Sequence, residues 1–144
     1  LDRRLYQRAQ AKAMPTVGLE TTAEQLAVFE RLRAEEQQAL LRAAVAGQGE
    51  RERLFDALTD AYLRGALGEL LALSEDRVPG LAPALQQRLR ELLIDSRNRR
   101  MLTRIRALPR QQRHFIAVGA LHLPGESGLL AGLGAAGYGL RRLH

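Results

Sequence analysis

The sequence has 144 residues, the usual size of one domain, and its content of 46% apolar and 26% charged residues argues against a globally disordered chain. It contains no cysteine, which excludes disulfides, thiolate catalysis and cysteine-based metal sites. The net charge of +6 comes from arginines spread among acidic residues without interleaved aromatic residues, so we expect no nucleic-acid partner.

The first elements follow from helical spacing and from proline. Leucine and alanine at steps of four predict a helix over residues 1–14, which Pro15 ends. The segment 16–20 is predicted to be a short strand. The next helix is expected to begin with a capping box, because suitable residues follow this strand: Thr21, Thr22, Glu24 and Gln25.

The middle of the sequence has the pattern of consecutive helices. Apolar stripes at helical spacing cover residues 22–73. We predict a break at 47–49 and further interruptions at Gly65 and Gly68, because glycine disfavours the interior of a helix. We also predict that Tyr62, at helical spacing within this stretch, belongs to the core.

Helical spacing returns after a loop predicted over residues 74–83. The second helical stretch covers residues 84–108, with a bend or break near 95–96, and it stops at Pro109.

The C-terminal part is predicted to contain two strands. Residues 114–118 are β-favouring and almost continuously apolar, which is typical of a buried strand. A short helix follows over residues 129–135 and ends at Gly137, and residues 138–143 form a last strand.

Helices that separate strands favour parallel pairing. We therefore predict a helix-rich α/β fold with a small, mostly parallel sheet that belongs to a larger sheet in the full-length protein. The chain is expected to be one domain, or the C-terminal part of one, with a mainly helical insertion at residues 22–108. No segment has the roughly 18 apolar residues of a transmembrane helix. The start at Leu1, without an initiator methionine or signal peptide, indicates a fragment or a processed product.

Four blocks in order along the sequence resemble the TraB/GumN (TIKI-like) family. They are Gly18-Leu19-Glu20-Thr21 with Glu24-Gln25-Leu26, then Tyr62-Leu63-Arg64-Gly65, then Arg97-Asn98-Arg99-Arg100-Met101, and finally Phe115 through Gly125 with its Gly119-Ala120-Leu121-His122 motif. The resemblance covers nearly the whole chain.

The resemblance implies a metal-dependent hydrolase, peptidase-like, with a divalent cation and a peptide or protein substrate. The family carries two G-x-x-H motifs, of which the chain has the second, ending in His122, and the first belongs upstream. It also carries the glutamate that is Glu20 here. Ala66 departs from the family, which usually has Asp after Gly65. A location in the bacterial periplasm or cell envelope is favoured over the cytoplasm.

The residues themselves suggest the same chemistry. Glu20 and His122 each follow a predicted strand, and parallel strand ends meet at one edge of a sheet. There they would share a divalent cation, or one would bind metal while the other moves protons. Arg97 would pair with a carboxylate or stabilise an oxyanion, Asn98 would orient a ligand, and Gly119 would allow close backbone approach.

Each residue also has a structural interpretation. His122 is alternatively a hydrogen-bonded structural residue, Glu20 favours a helix N-terminus through the dipole, and Arg97-Asn98 lies on a solvated helix face. His114 and His144 are expected at the surface.

Two ligands rarely complete a catalytic metal site. The sequence therefore predicts half of a hydrolase site, inactive on its own. A non-catalytic ligand- or peptide-binding module of the same fold remains the alternative, and a basic nucleic-acid- or membrane-surface protein is a third hypothesis.

Overall fold

The computed structural model describes residues 2–46, 48–76, 78 and 80–143. These residues form eight α-helices with a π-helical turn and a 3-10 turn between them. In chain order the elements are α1 (Asp2–Ala11), α2 (Thr22–Glu30), α3 (Ala34–Ala46), α4 (Gln48–Leu63), α5 (Leu67–Glu75), α6 (Pro83–Arg90), the π turn (Glu91–Asp95), α7 (Ser96–Arg106), the 3-10 turn (Ala120–His122) and α8 (Leu129–Ala135).

The predicted parallel sheet is wrong. Within the described residues no strand forms, and the segments 16–20, 114–118 and 138–143 have no regular secondary structure. Several of their apolar side chains are exposed, with Val17 at 76% and Phe115 at 75% of full accessibility. A strand requires a neighbour to take up its backbone hydrogen bonds, and these three segments do not pair with one another. The described part of the chain is therefore helical and not α/β.

The helical predictions are largely confirmed. α1 ends before Pro15, and Thr21 caps α2 in a capping box, accepting from the backbone N–H of Glu24 at 3.2 Å while the Glu24 carboxylate accepts from the backbone N–H of Thr21 at 2.8 Å. Gly65 separates α4 from α5 with φ of 63°, whereas Gly68, predicted to interrupt a helix, lies within α5.

The predicted helix break at 47–49 lies only partly within the described residues. Gly47 lies outside the described residues, and Gln48 and Gly49 are helical at the start of α4. In the predicted loop over 74–83, Arg77 and Pro79 also lie outside them.

The predicted bend near 95–96 takes the form of a π-helical turn. Glu91–Asp95 joins α6 to α7 without an interruption of the helix. A π turn adds a residue to one helical turn, so it changes which side of the helix the following residues occupy. The side of α7 that faces inward contains the buried residues Asn98, Met101 and Ile105.

Among the described residues, buried apolar side chains form two small clusters. The first contains Val28, Leu32 and Leu92, with Leu40, Leu89 and Leu93 packed against it. The second contains Met101, Ile105 and Leu129, with Leu19, Leu102, Val118 and Leu133 packed against it. Leu19 and Val118 directly precede Glu20 and Gly119 in the sequence. The second cluster therefore brings two of the family-like blocks to α7.

In the described part of the chain, no helix has the length and hydrophobicity needed to span a bilayer.

Gly128, the N-cap of α8, is expected to be intolerant of a side chain. A Cβ at this position would overlap the carbonyl oxygens of Leu123 and Pro124, which are backbone atoms and cannot rotate away. We expect Gly128→Ala to lower the free energy of unfolding by about 1–3 kcal/mol, as overpacking does. Urea denaturation measures this.

Gly119→Ala is the matched control, because a Cβ there meets only the His122 Cδ2 atom at an ordinary 3.6 Å. We expect it to change the free energy of unfolding by less than about 0.5 kcal/mol. Equal effects of the two substitutions would contradict the steric argument.

Candidate functional site

Glu20 is held by Arg97 in a buried ion pair. The Arg97 Nε donates to both carboxylate oxygens of Glu20, at 3.0 and 2.9 Å, and its Nη2 donates to Oε2 at 2.6 Å. The Glu20 side chain is only 2% exposed and that of Arg97 is 21% exposed. Arg97 also donates through Nη1 to the backbone oxygen of Leu93 at 3.2 Å. Arg97 is thus fixed in the first turn of α7 with its guanidinium directed at Glu20.

Two further arginines on the same side of α7 extend this ion pair. Arg100 approaches Glu20 Oε1 with its Nη2 at 3.4 Å, while its buried Nε has no hydrogen-bond partner. Arg104 donates to both carboxylate oxygens of Glu24 at 2.8 Å and to the backbone oxygen of Leu19 at 2.7 Å. Residues at positions i, i+3 and i+7 share one side of a helix. The three arginines therefore face the two glutamates together.

His122 is oriented by Asn98. Asn98, 3% exposed, donates through Nδ2 to the backbone oxygen of Ser127 at 2.8 Å, and its Oδ1 lies 2.7 Å from the His122 Nδ1. Since an amide oxygen only accepts, Nδ1 carries the proton and donates. The remaining nitrogen, Nε2, then has its lone pair available in the neutral ring.

The surroundings of His122 favour this neutral form. The side chain is buried, with 7% of its surface exposed. Burial lowers its pKa from the usual 6.5, the positive charge of Arg97 lowers the pKa further, and the negative charge of Glu20 partly opposes both. At neutral pH the imidazole is therefore uncharged and able to act as a base or a ligand.

The five residues singled out from the sequence thus lie around the first turn of α7 in two groups. Glu20 pairs with Arg97, and His122 pairs with Asn98, which follows Arg97 directly. Gly119 lies beside the His122 ring. Among the described hydrogen bonds none joins Glu20 to His122, but both members of the first pair act electrostatically on the imidazole. The catalytic and metal-binding roles of these residues stay predictions.

His122 fits a divalent cation better than Glu20 does. Its Nε2 offers a lone pair while Nδ1 is fixed by an amide oxygen, the arrangement that protein metal sites use for histidine. Both oxygens of Glu20 are engaged by guanidinium groups instead. No cluster of three His, Cys, Asp or Glu side chains suited to a metal occurs in the part of the chain that the structure describes.

Other residues singled out from the sequence lie away from this site. Tyr62, predicted in the core, is 52% exposed, so that prediction is wrong. His114 is at the surface as expected, and His144 lies outside the described residues.

The sequence interpretation missed some of the partners in this site. Arg100 and Arg104 follow Arg97 by three and seven residues, and this helical spacing was the available signal. The contribution of Ser127 comes from its backbone oxygen, and such a contact leaves no signal in the side-chain pattern.

The Glu24–Arg104 pair predicts a specific response to acid. The Arg104 hydrogen bonds, helped by the Thr21 backbone N–H, lower the pKa of Glu24 from 4.5 to about 2. A lowered folded-state pKa stabilises the fold above the unfolded pKa, and this stabilisation is lost as pH falls toward about 2. We expect Glu24→Gln to weaken the decline in the free energy of unfolding over that window, measured by denaturation at several pH values.

Glu30→Gln, at an exposed position on the same helix, is the control for this experiment. It is expected to leave the acid dependence unchanged, and the same dependence in both variants would refute a specific role of Glu24.

The described residues thus form a helical fold in which α7 contributes one member to each of two polar pairs, one ionic and one that orients a histidine. The profile of the TraB/PrgY/gumN family matches residues 1–142, and the chain belongs to that family. Neither a curated protein nor a solved structure matches the chain significantly.

Proposed function

We propose that this chain supplies the C-terminal half of the active site of a metal-dependent hydrolase that acts on peptides or proteins. The observation that carries the proposal is His122, a buried neutral imidazole with Nδ1 hydrogen-bonded to Asn98 Oδ1 and Nε2 free for chemistry. Membership of the TraB/PrgY/gumN family supports it, because the G-x-x-H motif that resembles the family's ends at this histidine.

The residues of this chain have separate tasks in the proposal. Asn98 fixes the ring and tautomer of His122, so that Nε2 serves as a ligand or a base. Arg97 holds the Glu20 carboxylate in a single geometry. A bound divalent cation would polarise a carbonyl and lower the pKa of a water molecule. The further ligands belong to the upstream G-x-x-H motif that the family resemblance implies.

The test is a metal-dependent peptidase assay of the full-length parent. We expect His122→Ala and Glu20→Ala each to abolish most activity, by about 100-fold or more for a ligand or proton-transfer group. His114→Ala and Glu30→Ala, at exposed positions, are matched controls with activity close to that of the parent. Full activity in both site variants would refute the assignment.

A metal titration tests the prediction that this chain supplies only half of the metal site. Calorimetric titration of Zn²⁺ or Mn²⁺ into the 144-residue chain, with helicity checked by circular dichroism, is expected to show no tight site. One histidine ligand is too few for strong binding. A sub-micromolar site would show that this chain carries a complete metal site, against the proposal.

A non-catalytic binding module is the second candidate function. A cavity of about 960 Å³ lies beside Asn98 and favours this alternative. Peptide binding by a parent that lacks hydrolytic activity under all metal conditions would support it over the hydrolase.

A further inference from the structure

A cavity of about 960 Å³ opens between α3, α5, α6 and the π turn, and it reaches Asn98 and the loop that contains Ser127. Its volume is in the upper part of the range for small-molecule sites, which hold ligands of drug size. The arginine-held Glu20 and the His122 ring do not line it. The cavity is thus a second place, next to the candidate site, where a ligand has room.

Most of the cavity wall is apolar. The main apolar side chains are Leu40, Leu71, Leu81, Leu89, Leu93 and Ile94. Leu40, Leu89 and Leu93 also pack against the first core cluster, so this part of the wall is held in place by the fold. A hydrocarbon chain placed along this wall would leave water for an apolar surface, which is favourable at roughly 25 cal/mol per Å².

Among the lining residues that the structure describes, carboxylates outnumber cationic groups. They include the carboxylates of Glu75, Asp76 and Asp95 and the guanidinium of Arg90. Arg90 forms an ion pair with Glu75 and lies 3.7 Å from the Asp95 Oδ2. A cationic ligand would therefore complement the charge of these side chains.

Asp95 also has an unused acceptor. Its Oδ1 is buried and accepts no hydrogen bond, although the side chain retains 15% exposure. A buried acceptor without a partner is energetically costly. A hydrogen-bond donor from a ligand in the cavity would recover this cost once the carboxylate has turned about the Cβ–Cγ bond to expose this oxygen.

We propose that this cavity binds a small amphiphile with a primary ammonium group and an apolar chain. The ammonium donates to Asp95, and the chain lies along the leucine-lined wall. An anionic head group would instead meet an excess of carboxylates. The inference stands apart from the hydrolase proposal, because none of the residues that carry it is assigned to catalysis, and it gives a ligand class to the binding-module alternative.

The test compares three probes with the same hydrocarbon chain, octylamine, 1-octanol and octanoate, by calorimetry with the full-length protein at pH 7. We expect octylamine to bind about tenfold more tightly than octanol, because a charge-assisted hydrogen bond is stronger than a neutral one. Octanoate should bind most weakly. Octanoate binding as tight as that of octylamine would overturn the proposal.

Two variants locate the site. Asp95→Asn should reduce the preference for octylamine over octanol to about twofold or less, whereas Asp56→Asn, at an exposed position of α4, should retain it. Ala44 lies at an exposed position on the cavity wall. Ala44→Trp should therefore block the binding of all probes without disturbing the core. An unchanged preference in Asp95→Asn, or unchanged binding in Ala44→Trp, would refute this placement.

An apolar peptide with a free N-terminus carries the same ammonium group and apolar surface as a small amine. A peptide probe distinguishes these two kinds of ligand. Binding of trileucine amide but not of octylamine would overturn the proposal of a small amine. The peptidase assay of His122→Ala reports on the hydrolase independently, so the two proposals fail separately.

Discussion

Arg97→Ala is expected to lower the free energy of unfolding by about 3–5 kcal/mol, the usual cost of removing one partner from a buried ion pair. The substitution leaves the Glu20 carboxylate, 2% exposed, without its three shortest contacts. The contact with Arg100, at 3.4 Å, remains. Urea denaturation monitored by circular dichroism measures the change.

Arg99→Ala is the matched control on the same helix. Its side chain is 64% exposed and pairs with Glu91 at the surface, and such exposed pairs contribute little to stability. Arg97→Lys should fall between these two variants, because lysine retains the charge but not the bidentate geometry. If Arg97→Ala cost no more than Arg99→Ala, the Glu20–Arg97 pair would not be a buried structural contact.

The helices of this protein were predictable because their signals are local. Periodic leucines, the proline after α1 and the capping box that begins at Thr21 all act within a few residues, and the structure confirms them. The π turn before α7 was predictable only as a disturbance near 95–96. The sequence pattern does not distinguish a π turn from a break.

The predicted sheet failed for the opposite reason. Residues 114–118 have the composition of a strand, but strand formation depends on a partner elsewhere in the chain, which composition does not supply. In the described structure Phe115 and Ile116 stay exposed at 75% and 38%. The high β-propensity of these residues thus indicated a preference for the strand conformation, but it did not determine their secondary structure.

The residues of the candidate site could be predicted from the sequence, but not which of these residues pair with each other. Glu20, Arg97 and His122 were identified by residue type and by family resemblance, whereas the partners were expected to be Glu20 and His122 at a sheet edge. The structure joins Glu20 to Arg97, 77 positions apart, through packing of the second core cluster. Helix packing and not strand order therefore brings these residues together.

Asn98→Ala is expected to lower the free energy of unfolding by about 2–4 kcal/mol. It removes the buried hydrogen bond to the His122 Nδ1–H and the part-buried one to the Ser127 carbonyl oxygen. An unsatisfied buried group costs about 1–3 kcal/mol. Gln38→Ala, which removes an exposed amide on α3, should change the free energy by less than about 0.5 kcal/mol. A similar small effect at Asn98 would mean that its hydrogen bonds contribute little to the fold.

Asn98→Asp tests the effect of residue 98 on the protonation of His122 separately from its effect on stability. The carboxylate still accepts from the His122 Nδ1–H, but it favours the charged imidazolium and should raise the pKa of His122, which burial and Arg97 otherwise lower. Histidine ¹⁵N chemical shifts followed against pH measure both the pKa and the protonated nitrogen. A His122 titration identical to that of the parent would show that residue 98 does not set the imidazole's protonation. A raised pKa accompanied by loss of activity in the full-length parent would tie the neutral imidazole to the proposed chemistry.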